Sequence, residues 1–146
     1  MMGGRWTTIG RFAAIYSSLD PETAMAETLS RCRHYGVPLE RALPCVFAAI
    51  RLELAQVLDL TDGRNRHRLR VSAQRMIDEP WREVQRRGNE AITQAIGRVA
   101  WEVGLEGLLV PSAALRAGMN LVVFPNNLRR ESRLSIINEH LLPETR

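Results

Sequence analysis

Four polar side chains, far apart along the chain, are of types suited to one site: Arg5, Tyr16, Glu27 and Ser112. Arg5 follows Gly3-Gly4. Glycines let a backbone approach a ligand closely, and a planar, always-charged guanidinium can grip a phosphate with two parallel hydrogen bonds. Tyr16 ends an apolar run, where its ring can stack and its hydroxyl can hydrogen-bond. The Glu27 carboxylate can stabilise a developing positive charge. Ser112 follows Pro111, and its hydroxyl can donate or accept. Each has an ordinary alternative. A terminal Gly-Gly is flexible, a sheet Tyr is half-buried, a Ser caps a turn, and Glu27 can form a solvated pair with Arg31 at i+4, worth about 0.2–0.5 kcal/mol.

Other chemistries lack their residues. No GxSxG elbow surrounds Ser112, and His34, His67 and His140 are scattered, so a nucleophilic serine is not expected. Cys32 and Cys45 stand in no CxxC or Cys/His spacing, which predicts buried free thiols and no metal site. All 20 basic residues are arginine, and the net charge is +4. The densest cluster, Arg64, Arg66, Arg68 and Arg70 with His67, has no interleaved aromatic residue, so the segment reads as a solvated or partner-facing loop with no direct nucleic-acid binding.

The elements that must position these residues are those of one ordinary globular domain. The chain has 146 residues, 45% hydrophobic and 25% charged, a size that buries roughly 68–70% of the unfolded surface. The apolar stretches around Val46 to Leu60 and Leu105 to Leu115 are broken by Arg51, Glu53, Glu106 and Pro111, short of the roughly 18 residues a membrane span needs. The start lacks the order of a signal peptide, so a soluble cytoplasmic protein is expected.

Asp20-Pro21-Glu22 opens the clearest helix, with Asp20 as N-cap, and Gly36 closes it, which puts Glu27 in a helix interior. Arg11 to Ser17 reads as a strand. Val46 to Leu60 reads as a strand bent once, stopped by Asp59 to Gly63. Arg70 to Ile77 is a short helix that Asp78-Glu79-Pro80 breaks. Ile92, Ile96, Val99 and Val103 mark an amphipathic helix over Asn89 to Val103, with Asn89 as cap and Gly104 as stop. Strands follow at Gly107 to Val110, Asn120 to Phe124 and Leu134 to Asn138. The expected class is α+β, a compact single domain over residues 1–146 with a mixed or antiparallel sheet and flanking helices.

Five short motifs, in order, are Gly3-Gly4-Arg5-Trp6, Tyr16, Glu27, Val110-Pro111-Ser112-Ala113 and Asn120-Leu121-Val122-Val123-Phe124-Pro125. Together they resemble the RES domain, named for its Arg, Glu and Ser, the toxin half of bacterial toxin-antitoxin pairs with Xre-type antitoxins. The resemblance runs from Gly3 to about Pro143. It implies a fold similar to ADP-ribosyltransferase toxins, with a nicotinamide cleft between sheet and helix, and NAD as a substrate consumed without a metal.

Cleaving the nicotinamide glycosidic bond expels a neutral pyridine from a cation, so no general acid is needed, while one carboxylate can stabilise the oxocarbenium character left on the ribose. The resemblance implies Arg5, Tyr16, Glu27 and Ser112 as the catalytic set. Arg5 would hold phosphate, Tyr16 the nicotinamide ribose, Glu27 the developing cation, and Ser112 the orientation of the substrate. Trp6 is expected to be a packing anchor and Asn120 structural.

The implied function is NAD depletion by hydrolysis or phosphorolysis, arresting growth, with a helix-turn-helix Xre-type antitoxin as partner and room for a homo-oligomer. The alternatives are a mono-ADP-ribosyltransferase acting on a protein and a non-catalytic module binding a nucleotide or partner. Two departures stand out. Thr7 replaces the usual Asn after the tryptophan, which is expected to weaken a local turn or a substrate contact. The usual segment before the Gly-Gly is also lacking, so either the start is misplaced or a piece is missing.

Overall fold

The computed structural model describes residues 3–137 and 139–141. In chain order the elements are β1 (Ile15–Ser18), α1 (Pro21–His34), α2 (Leu39–Ala42), β2 (Ile50–Glu53), β3 (Val57–Asp59), α3 (Gly63–Arg68), α4 (Ala73–Asp78), α5 (Trp81–Arg86), α6 (Ile92–Glu102), β4 (Gly107–Pro111), β5 (Met119–Val123) and β6 (Arg133–Ile136). The fold is α+β. A four-stranded mixed sheet runs β1-β5-β4-β3, antiparallel except for the β3/β4 pair, and β2 pairs with β6 in a separate two-stranded sheet.

Helix α1 forms as the sequence predicts. The Asp20 carboxylate accepts from Thr23 N at 2.7 Å and from the Thr23 hydroxyl, and Pro21 occupies the first turn. At the other end Gly36 takes φ +63°, and the N–H groups of Gly36 and Val37 return to the carbonyls of Arg33 and Cys32.

Other boundaries depart from the sequence pattern for identifiable reasons. The predicted Val46 to Leu60 strand is two strands in two different sheets. The break falls where the backbone N–H groups of Ala55 and Gln56 turn to a carboxylate, Glu106, at 2.6 and 2.7 Å. The predicted Gly63-to-Arg70 loop holds helix α3. There Asp62 caps the Arg64 N–H and pairs with the Arg64 side chain, while Arg66 donates to the carbonyls of Leu60 and Thr61. Asn89 does not cap α6. Glu79, from before α5, accepts from Ile92 N, Thr93 N and the Thr93 hydroxyl instead. Helices α2 and α5 have no counterpart in the sequence reading, and only Ile15–Ser18 of the Arg11 stretch is a strand. Cys32 and Cys45 are free but half-buried. The Asn138 end of the last predicted strand and the Pro143 end of the family resemblance lie outside the described residues.

The core lies between the sheet and the helices, with Leu60, Met76, Leu108, Val110, Val122 and Phe124 nearly inaccessible to water. Phe12 stacks on Trp101 at 5.0 Å and meets Phe124 edge-on at 5.4 Å. Trp6 belongs to this core, as a packing anchor should. No helix among the described residues is long and apolar enough to cross a membrane.

Among the described residues Glu106 is the wholly buried charge. Burial opposes its ionisation. The Ser132 hydroxyl and the N–H groups of Arg129, Gln56 and Ala55 outweigh that cost and hold its pKa at about 2. A carboxylate depressed in the folded state contributes stability that is present above its unfolded pKa, so this contribution should fade as pH drops from about 4.5 through about 2. Glu106→Gln puts an amide NH2 against backbone donors. It should lower stability by about 1–3 kcal/mol at pH 7 and flatten the acid limb of the denaturation curve. Urea melts of both proteins at pH 3 and pH 7 check this.

Candidate active site

A cleft of about 520 Å³ opens beside the β1/β5 edge of the mixed sheet, and Arg5, Tyr16, Glu27 and Asn120 line it. Its geometry begins with strand register. Asn120 on β5 sits between Ser18 on β1 and Val110 on β4, and Tyr16 lies opposite Val122 two residues away. Period-two alternation therefore puts Tyr16, Ser18, Asn120 and Val122 on one face.

Helix α1 supplies Glu27 to that face. Glu27 Oε1 accepts from Ser112 Oγ at 2.7 Å and from Asn120 Nδ2 at 2.6 Å. Neither donor is free to turn away. Ser112 Oγ, buried just past β4, also accepts from Ala114 N and Leu115 N at 3.0 and 3.1 Å, which leaves its proton for Glu27. The Ser18 hydroxyl donates to Asn120 Oδ1 at 2.7 Å, which fixes the orientation of that amide. Glu27 Oε2 has no partner among the described residues, and no salt bridge joins Glu27 to Arg31 among them. The solvated i,i+4 pair is thus not what positions this carboxylate.

The N-terminal turn is built with the same economy of freedom. Gly4 and Thr7 bond each other, N–H to carbonyl, at 2.9 and 3.3 Å. Tyr16 OH accepts from Trp6 N at 3.1 Å and shares a 3.0 Å bond with Thr7 Oγ1, so Thr7 closes the turn rather than loosening it. The Tyr16 hydroxyl is enclosed while the residue as a whole stays 42% exposed. Enclosure raises its pKa above the usual tyrosine value, against the pull of the Thr7 and Trp6 bonds and the Arg31 and Arg5 charges.

A Cβ at Gly4 would collide with the Tyr16 hydroxyl, so glycine is required here by the protein's own packing. Arg5 projects from this turn, and its Nη1 donates to the carbonyls of Met76 at 2.6 Å and Glu79 at 3.3 Å. Burial lowers its pKa and the nearby Arg82 charge lowers it further, while Glu27, Glu79 and Tyr16 act in the opposite sense. One edge of Arg5 is thereby committed to the fold.

Helix α6 carries the turn. Gln94, buried, donates to the carbonyls of Gly4 and Thr7 and to Gln85 Oε1. Gly97 lies directly under the Trp6 carbonyl, leaving no room for a methyl group.

Of the four residues read from the sequence, three line one cleft. The fourth, Ser112, touches it through Glu27. Asn120, read as structural, binds the carboxylate directly. Tyr35, Trp81 and Arg82 also line the cleft and were not singled out. Their one sequence signal is the Trp81-Arg82 pair behind Pro80, an aromatic beside a cation, which says nothing alone about where it faces. Among the described residues no group of three or more His, Cys, Asp or Glu side chains could hold a metal ion.

In an open helix face Gly→Ala stabilises by about 1 kcal/mol. At Gly97 the sign should reverse. Gly97→Ala should destabilise by about 1–3 kcal/mol through overpacking against Trp6 and displace the turn that carries Arg5. Thermal melts give the first effect, and loss of ligand affinity in excess of the stability change gives the second.

The RES domain family model matches residues 1–142, and the chain belongs to the RES domain family. Curated relatives include the NAD(+) phosphorylase MbcT of Mycobacterium tuberculosis and of Mycobacterium bovis, each 27% identical over 123 residues, which cover 83% of this chain and 60% of the relative. The chain thus spans about 60% of the length of the curated relatives it matches. Among solved structures, the crystal structure of the M. tuberculosis MbcT–MbcA toxin–antitoxin complex aligns with a TM-score of 0.69 and 25% identity, covering 92% of this chain and 69% of that one.

Proposed function

We propose that this chain is a toxin that cleaves the nicotinamide glycosidic bond of NAD in the Glu27 cleft, depleting NAD and arresting growth in the cytoplasm. The observation that carries the reading is the fixed carboxylate. Glu27 is held by Ser112 and Asn120 through one oxygen, in a cleft whose other polar groups include arginines suited to phosphates.

Each residue then has a defined task. Arg5, steadied by the carbonyls of Met76 and Glu79, binds phosphate with its remaining nitrogens. Tyr16 is tied at its hydroxyl, so its exposed ring is the surface offered to the nicotinamide ribose. Glu27 faces the ribose as the bond lengthens. The C–N electron pair leaves with nicotinamide, which departs neutral, and the negative charge of Glu27 stabilises the cation until an acceptor adds. Ser112 and Asn120 keep the carboxylate aimed, and Ser112 orients the substrate through it. Preorganised donors of this sort cost no rearrangement at the moment of reaction.

The name NAD(+) phosphorylase on relatives that cover most of this chain favours inorganic phosphate over water as the acceptor. An antitoxin partner is supported by the toxin–antitoxin complex to which the fold is similar. We take that partner to be of the helix-turn-helix Xre type.

Expression without the partner should lower cellular NAD and stop growth, and purified protein should release nicotinamide faster when phosphate is added. Glu27→Gln preserves shape but removes the charge. It should cut kcat by about 10²-fold or more with little change in KM. Steady-state kinetics of wild type and variant check this, and near-normal turnover in Glu27→Gln would remove the carboxylate from the mechanism.

A further inference from the structure

Among the described residues five arginines have a carboxylate or carbonyl partner. Arg64 pairs with Asp62, Arg87 with Glu83, and Arg98 with both Glu90 and Glu102. Arg66 donates to two carbonyls, as does Arg5. Arg82, which starts α5 behind Trp81, differs. It lines the same cleft as Arg5 and Glu27. Its guanidinium carbon lies 4.3 Å from the Trp81 ring centroid and 6.0 Å from that of Tyr35. Its Nε is sealed from water, and among the described residues it has no hydrogen-bond partner. No carboxylate pairs with Arg82 among the described residues either.

The sealed Nε is a cost the fold carries, and the Nη groups, which are not sealed in this way, are what Arg82 can offer to an anion in the cleft. A buried guanidinium N–H without an acceptor forfeits hydration and gains nothing in return. Arg82 also stands close enough to Arg5 for the two like charges to repel, which adds to burial in lowering the pKa of Arg5. The carboxylate that lines the same cleft is Glu27, and one of its oxygens is already taken by Ser112 and Asn120. The Trp81 ring meanwhile supports the guanidinium from its side and restricts the rotamers of an otherwise mobile chain. A cation fixed in orientation, left without an acceptor and set beside a second cation is suited to an anion that bridges the two.

We propose that Arg82 holds a phosphoryl group in this cleft, gripping it with the guanidinium edge while Trp81 supports the face, together with the free edge of Arg5. The assignment rests on the reading of the cleft as a nucleotide site. The phosphoryl group is either part of the pyrophosphate of the dinucleotide or the free phosphate that accepts the ribosyl cation, and the two sources can be separated.

The experiment measures binding of three probes by calorimetry, which requires no turnover: NAD, nicotinamide riboside, which has no phosphoryl group, and inorganic phosphate. The proteins are wild type, Arg82→Gln, Arg82→Lys and Arg87→Gln. The last removes the same charge from a solvent-exposed pair at the opposite end of the same helix. Arg82→Gln should weaken the phosphoryl-bearing probe by about ten- to a hundredfold, Arg82→Lys should recover only part of that because an ammonium offers a point charge, and Arg87→Gln and the riboside should be unaffected. Loss toward NAD alone assigns Arg82 to the pyrophosphate, and loss toward inorganic phosphate alone assigns it to the acceptor.

Unchanged affinity for both phosphoryl probes overturns the proposal. So does an equal loss for nicotinamide riboside, which would mark Arg82 as a packing residue, and so does a wild type that binds neither phosphoryl probe. A wild type that binds phosphoryl groups through Arg82 yet leaves NAD intact would instead refute the proposed activity and preserve this site. Melting temperatures of the four proteins, expected to agree within a few degrees, keep misfolding from imitating a lost contact.

Discussion

Everything in the cleft depends on one carboxylate oxygen. Glu27 Oε1 takes two hydrogen bonds from residues on the β4–β5 hairpin, and those two bonds are where α1 meets the sheet at the level of the site. Charge-assisted bonds of this length are stronger than neutral ones, and each donor is itself pinned by a second contact. The result is a carboxylate that makes no salt bridge with Arg31, its neighbour on the helix, among the described residues, and whose Oε2 is left without a partner among them. Ser112 shows why a residue can be necessary to a site without offering its hydroxyl to a ligand. Its three bonds exhaust the group, and what it contributes is the direction of another side chain.

The N-terminal side of the cleft has its own supports. The Gly4–Thr7 turn rests on α6 through Gln94 and the bare backbone at Gly97, and it is tied to β1 by the Tyr16 hydroxyl. Helix α6 is in turn started by Glu79, whose own carbonyl receives Arg5. Arg5 and Arg82 on one side and the carboxylate on the other are therefore mounted on separate supports, the N-terminal turn and α5 for the arginines, α1 and the hairpin for Glu27.

How much of this was legible in the sequence follows from the range of the interactions involved. Helix α1 was readable because its signals are local: Asp20, Pro21 and Gly36 act within a few residues of where they stand. The start of α6 was not, because its cap is Glu79, across an intervening helix, and a nearby Asn89 was the natural misreading. The split of the Val46-to-Leu60 run was hidden for the same reason, since the carboxylate that turns the chain is Glu106. Helix α3 was masked by its run of arginines, which looks like a solvated loop until Asp62 and the Leu60 and Thr61 carbonyls are seen to absorb two of them. At the site, residue types pointed to Arg5, Tyr16, Glu27 and Ser112. Asn120 and Arg82 were legible only in three dimensions. One shares a strand face with Tyr16, and the other reaches the cleft from a six-residue helix that periodicity does not reveal.

The sheet order has a consequence for when, during synthesis, this molecule becomes itself. Strand β1 has one neighbour in the sheet, β5, and Ile15 waits for Val123 before it can pair. Glu27 likewise emerges long before Ser112 and Asn120 exist to receive it. Closing contacts between such distant segments is slow compared with forming local helices, and domains generally fold as units once their parts are available. A growing chain on the ribosome thus carries its carboxylate and its arginines as unrelated side chains until the hairpin that unites them has been made. For a protein proposed to consume the cell's own NAD, that ordering means the site first closes only once the β4–β5 hairpin exists.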